Sequence, residues 1–244
     1  MRFTEFLNES SFRFEYHDKL NPKIWDKNRL KSKVVAKLKR IANEFYDFLE
    51  VSSDYHVIDI IFTGSLANYN YTMYSDIDLH LIIDKNPDHA DSVGLDLVDI
   101  FDTKKKLWNE EHDITIFGYP VEIYVQLQAD VLTASGVYSI KNSKWNVTPK
   151  HLPNIESKVN NYVVNVKSKE IKKLIDSLMD SESDDVYEIR KIKTKIKEMR
   201  QSGLKKSGEF SIENLVFKDL RNTGYLEKLQ KLKVNAVDKS LSLF

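Results

Sequence analysis

A chain of 244 residues, 41% hydrophobic and 30% charged, can bury a core as one large domain or two modest ones. It has no cysteine, which excludes disulfides, thiolate zinc sites and cysteine nucleophiles, and no apolar run approaches the ~20 residues that span a bilayer. Basic and acidic side chains balance at 37 each, but residues 151–244 hold 19 basic against 14 acidic and residues 1–150 hold 18 against 23. An acidic half joined to a basic half suits a metal site beside a polyanion-facing surface, and suits solvated helix faces equally well.

Met1 to Ser10 lack the continuous apolar core of a secretory signal. From 28 to 50, Leu30, Val34, Leu38, Ile41, Phe45 and Leu49 recur at helical spacing with Lys and Arg on the other face, predicting an amphipathic helix. Residues 55–63 are rich in β-branched side chains and read as a strand, closed by Gly64-Ser65. Residues 67–75, with Tyr69, Tyr71 and Tyr74, read as a short helix and a loop. A second strand follows over 76–84 and a helix over 91–109. Residues 114–117 and 121–126 read as a hairpin about Gly118, Tyr119 and Pro120, and residues 136–141 and 144–147 as a pair turning at Asn142-Ser143.

After Pro149 and Pro153 strands give way to helical patterns. One runs from Ile155 to Leu178, an acidic loop covers 180–185, and the next helix runs from Val186 to an end near Gly203. Ser211 then reads as an N-cap, with Gly224 just past that helix and a last helical stretch from Tyr225. The expected organisation is an arm over 1–24, a catalytic domain over 25–150 and a helical domain over 151–244. The segment Gly208–Asn214 looks more constrained than an ordinary helix start.

The chemistry concentrates in Ser75-Asp76-Ile77-Asp78-Leu79-His80. Two carboxylates two apart on a strand project from one face, and at roughly 4 Å they repel by about 4 kcal/mol at an effective dielectric near 20. Either one is protonated or a cation sits between them, and Mg²⁺, a hard ion that takes carboxylate oxygens and keeps waters for phosphate, is the natural occupant. Glu122, on the later strand, completes an open cup of three acids with no Lys or Arg neutralising it locally if the two strands are neighbours. Gly64 and Ser65, at a strand-to-helix junction, can receive phosphate oxygens through backbone N–H groups and a small hydroxyl.

Together Gly64, Ser65, Asp76, Asp78 and Glu122 resemble the signature of the DNA polymerase beta-like nucleotidyltransferases, most nearly the minimal type. That signature is a Gly-Ser turn, an Asp-x-Asp strand about ten residues on, and a third acid on a later strand. The resemblance covers residues 57–126, and Glu122 stands where the family commonly has Asp. It implies an α+β fold, a mixed β-sheet flanked by helices, followed here by the helical domain. It also implies transfer of a nucleoside monophosphate from an NTP to an acceptor hydroxyl, with release of pyrophosphate. Asp76, Asp78 and Glu122 would hold two Mg²⁺ or Mn²⁺ ions and Gly64-Ser65 the nucleotide's phosphates. The acceptor is an RNA, a protein or a small molecule. A nucleotide- or RNA-binding module of the same fold without turnover is the alternative, as is a packaged phage protein.

Several residues carry two readings. His80 shares parity with the acids, as a neighbour of the site or as a buried, hydrogen-bonded histidine. Tyr69, Tyr71, Tyr74, Tyr138 and Trp145 suit base stacking or ordinary packing. The cations from Arg190 to Lys206 suit a triphosphate or RNA surface, or a solvated helix face. The opening segment resembles the leader of proteins packaged into proheads of tailed bacteriophages, with Leu7-Asn8-Glu9 as the cleavage site. These features lead to an expected location in a cytoplasm, that of a phage host included, or in a virion.

Overall fold

Apolar and polar residues alternate along Ile77–Lys85, and this period decides how the sheet is layered. The computed structural model describes residues 11–50, 55–85, 97–127, 134–181 and 185–243; the Leu7-Asn8-Glu9 motif and the start of the helix expected from 91 lie outside them. In chain order the elements are β1 (Trp25–Asp26), β2 (Arg29–Leu30), α1 (Ser32–Leu49), β3 (Tyr55–Thr63), β4 (Ile77–Lys85), α2 (Leu97–Glu111), β5 (Thr115–Ile116), β6 (Tyr119–Leu127), β7 (Val137–Ser139) and β8 (Lys144–Val147). The helices α3 (Ile155–Lys158), α4 (Asn161–Asp180), α5 (Val186–Ser207), α6 (Ile212–Asn222) and α7 (Tyr225–Leu241) follow. Glu15–Pro153 form one compact unit, and the chain from Asn154 onward, with the described residues before Glu15, forms another.

Six strands of the first unit make one mixed sheet in the order β5-β6-β4-β3-β7-β8. β4 lies antiparallel to β3 and parallel to β6. Leu79, Leu81 and Ile83 are fully buried on one face of β4, whereas Asp78, His80 and Ile82 on the other are half-buried. α1 packs on β4 and α2 on β6, and Phe45 of α1 meets Trp108 of α2 edge-on at 5.4 Å. The apolar stripe of α1 (Val34, Leu38, Ile41, Ala42, Phe45 and Leu49) is buried as its 3.6-residue period requires.

Two boundaries differ from expectation for local reasons. α1 starts at Ser32 rather than near 28, because Arg29–Leu30 pairs with Trp25–Asp26 in a small hairpin. That hairpin sends Trp25 into the core, stacked on Phe62 at 5.6 Å and on Trp145 at 4.7 Å, with its indole N–H donated to the Leu66 carbonyl. The β5–β6 turn is the two-residue Phe117-Gly118, both at positive φ (53° and 86°). Such a turn matches the strand twist, so β6 begins at Tyr119.

In the helical unit the pattern from Ile155 to Leu178 divides into α3 and α4, with the Asn160 side chain capping α4 by accepting from Val163 N–H. α5 runs through Gly203 to Ser207 and stops at Gly208 (φ 71°). Gly203 is a packing residue: a Cβ there would lie 2.6 Å from Glu213 Cβ and 2.7 Å from Ser211 Oγ. The constrained look of Gly208–Asn214 has the same origin. Asn214 donates its amide to the Glu209 carbonyl at 2.7 Å and Ser211 caps α6 by accepting from Asn214 N–H, so one short segment closes α5 and opens α6. Among the described residues no helix is long and apolar enough to cross a membrane.

Candidate functional site

The register of two parallel strands builds the site. Asp78 pairs with Glu122 and His80 with Tyr124 across β4 and β6; paired residues of neighbouring strands share a face, so each couple lies side by side. Asp76 stands just before β4, in phase with Asp78 and itself buried. Asp76, Asp78 and Glu122 each present one carboxylate oxygen, and these three atoms all lie within 4.8 Å of one another. The structure thus brings together the three acids picked out in the sequence. An oxygen-only set this tight suits a hard divalent cation, which takes carboxylate ligands.

Gly64 makes room for this arrangement. A Cβ at Gly64 would fall 1.7 Å from Asp78 Oδ2, so the acid occupies the space a side chain would take, and the glycine's φ of 80° suits no other residue well. Ser65 opens the short 3₁₀ turn Ser65–Ala67, and its hydroxyl lies 2.7 Å from that of Ser75. Ser75 Oγ in turn accepts from Thr72 N–H at 2.9 Å. The Gly-Ser turn and the loop delivering Asp76 are therefore tied together.

Three neighbours of the acids were not legible as such in the sequence. Tyr124, two residues after Glu122 and on its face, donates its hydroxyl to Glu122 Oε2. Burial, the Glu122 carboxylate and its hydrogen bond, then Asp78 and Asp76 hold the Tyr124 phenol well above the usual tyrosine range, so it stays a donor. Asn109 of α2 grips the strand next to Glu122, accepting from Ile123 N–H at 3.2 Å and donating to its carbonyl at 3.1 Å; it substitutes for a missing strand at that edge. Lys105 sits 4.9 Å from the centre of the Tyr124 ring. The parity of Tyr124 with Glu122 was the available clue; Asn109 and Lys105 carry none, because their approach depends on how α2 docks.

His80 answers to both of its readings. It stacks on Tyr124 at 4.8 Å, and its Nδ1 lies 3.2 Å from Gln126 Oε1. Burial lowers its pKa to about 4, opposed by the Gln126 bond and aided by Lys105, so it is a neutral, hydrogen-bonded wall of the site at neutral pH. Tyr138 is buried and Trp145 stacks on Trp25, while Tyr74 is exposed; the first two are packing residues. In the cationic stretch, Arg200 lies 4.2 Å over the Phe217 ring and 3.4 Å from Asn214 Oδ1, and Lys193 bonds Gln230.

No curated protein and no solved structure matches this chain. A family model described as a nucleotidyltransferase domain does match, over residues 38–211, well over half of the chain and all three carboxylates. A sheet that sets three acids around one point beside a glycine turn is thus accompanied by a sequence-wide likeness, and this chain belongs to the nucleotidyltransferase domain family.

Proposed function

We propose that this protein is a polymerase beta-like nucleotidyltransferase that moves a nucleoside monophosphate from an NTP to an acceptor hydroxyl and releases pyrophosphate. The observation that carries this reading is the convergence of the Asp76, Asp78 and Glu122 oxygens within 4.8 Å. These carboxylates would hold the divalent cation, Mg²⁺ or Mn²⁺. Bound there, such ions supply Lewis acidity to phosphate oxygens and lower the pKa of the attacking hydroxyl.

The chain's own groups hold and orient. Gly64 and Ser65 receive phosphate oxygens of the NTP through N–H groups and the Ser65 hydroxyl. Tyr124 donates to Glu122 Oε2 and so would fix the orientation of this carboxylate toward a cation. His80, neutral at working pH, lines the site without adding positive charge that would compete with a cation. No side chain need form a covalent intermediate, in keeping with a chain that has no cysteine.

The test is incubation with each α-labelled NTP, Mg²⁺ or Mn²⁺ and a cell extract, following label transfer and pyrophosphate. Metal-dependent transfer that disappears in Asp76→Ala and Asp78→Ala supports the reading. Metal-dependent NTP binding without pyrophosphate release would assign the site to nucleotide sensing instead. Near-wild-type turnover in either variant would refute the ligand assignment.

A further inference from the structure

A groove of about 670 Å³ lies between α1, the end of α2 and the β5–β6 hairpin. Its α1 side carries Lys33, Lys37 and Arg40, exposed on one helix face and stepped by about 6 Å and then 4.5 Å along the axis. The opposite side presents two rings. His112 stacks on buried Trp108 at 3.9 Å with 19° between planes, leaving an exposed residue at the end of the stack.

The other ring is Phe117, 52% exposed at the hairpin tip and at a φ of 53°. A bulky side chain at positive φ is costly, and turns of this kind favour Asn or Gly there. An aromatic residue held exposed in a strained conformation points to a use for its ring.

Cations along one wall and stackable rings along the other fit a polymer that alternates phosphates with planar bases. An acidic peptide would use the cations and leave the rings unused. Glu44, the one carboxylate among the lining residues, lies 3.7 Å from Arg40 Nε; it would repel a phosphate but can accept from a ribose 2′-hydroxyl. After the Phe117-Gly118 turn β6 begins at Tyr119, and Glu122 follows three residues on, roughly 10 Å of extended strand.

We infer that this groove binds a single strand of RNA, phosphates along α1 and bases against Phe117 and His112. The inference stands on the groove alone and does not depend on the proposed transferase reading.

Fluorescence anisotropy with a labelled oligouridylate, metal-free and without NTP, tests it on the full chain. Lys33→Glu/Lys37→Glu should weaken binding at least about tenfold and flatten the log Kd against log salt slope by about 1.4, at roughly 0.7 per lost single-strand phosphate contact. Phe117→Ala should weaken binding about fivefold or more with the slope unchanged. Oligodeoxyuridylate of equal length should bind less tightly than the RNA.

Unchanged RNA affinity in both variants, equal affinity for the DNA strand, or equal competition by inorganic polyphosphate would each overturn the inference. Circular dichroism of each variant, expected to match wild type, checks that these surface substitutions leave the fold intact. If Asp78→Asn abolishes label transfer while the groove variants leave RNA binding intact, only the groove assignment falls. If no acceptor is labelled by the wild type while RNA binding behaves as expected, only the transferase reading falls.

Discussion

Two parts of this molecule bury carboxylates in opposite ways. In the helical unit Asp219, whose side chain is 6% exposed, meets Lys172 Nζ at 2.8 Å, and Glu213 meets Lys167 at 3.0 Å. In the sheet unit Asp76, Asp78 and Glu122 converge on one another. An acid matched by a cation is stabilised where it stands. Acids gathered together repel one another, and a cation arriving from outside would relieve that repulsion.

The largest expected effect comes from Asp78→Asn. It should reduce metal-dependent label transfer by more than about 10²-fold, beyond the 10–100-fold typical of residues that only support a ligand. In metal-free buffer the same variant should melt at a higher temperature than wild type, since it removes like-charge repulsion worth up to about 4 kcal/mol. A lower melting temperature there would break the contrast with Asp219.

Tyr124→Phe comes next. Losing the hydroxyl that steadies Glu122 should weaken Mn²⁺ binding about 10–100-fold, read by electron paramagnetic resonance, while the ring keeps its stacking on His80. Unchanged Mn²⁺ affinity would show that Glu122 needs no such support.

Lys172→Met leaves Asp219 buried beside an apolar chain and should cost about 3 kcal/mol in urea unfolding; Lys172→Met/Asp219→Leu should recover much of it, because a buried pair can be replaced by well-packed apolar groups. Neither variant should alter Mn²⁺ affinity.

The smallest effect sharpens the same contrast through pH. Glu213 has its pKa lowered, first by a hydrogen bond to its own backbone N–H and then by Lys167. A carboxylate depressed in the folded state adds stability that is present above its unfolded pKa, about 4.3, and lost as pH falls through the folded value. Glu213→Gln should therefore be less stable than wild type by about 0.5 kcal/mol at neutral pH, an exposed-pair magnitude. The gap should close below about pH 4 in denaturant titrations.

Much of the site could be read in one dimension because its parts are local. Asp76 and Asp78 share a face by strand period, Gly64-Ser65 marks a junction, and Glu122 lies on a flanking pattern of strand residues. The stripe of α1 and the helical character after Pro153 are likewise periodic and so visible. Gly203 misled as a helix end because glycine serves both termination and close approach, and only the neighbouring Ser211 and Glu213 distinguish them.

What the amino-acid order determined by itself was the set of acids, their parity and the strands and helices that carry them, since these follow from backbone periods acting over a few residues. Tertiary structure alone decided that β6 lies parallel to β4 with Glu122 level with Asp78. It also decided that Asp78 fills the space over Gly64, that Asn109 holds the third acid's strand, and that Lys33, Lys37 and Arg40 face Phe117 across a groove. Those relations join residues far apart in the chain, and their geometry exists only once the sheet has formed and the helices have packed against it.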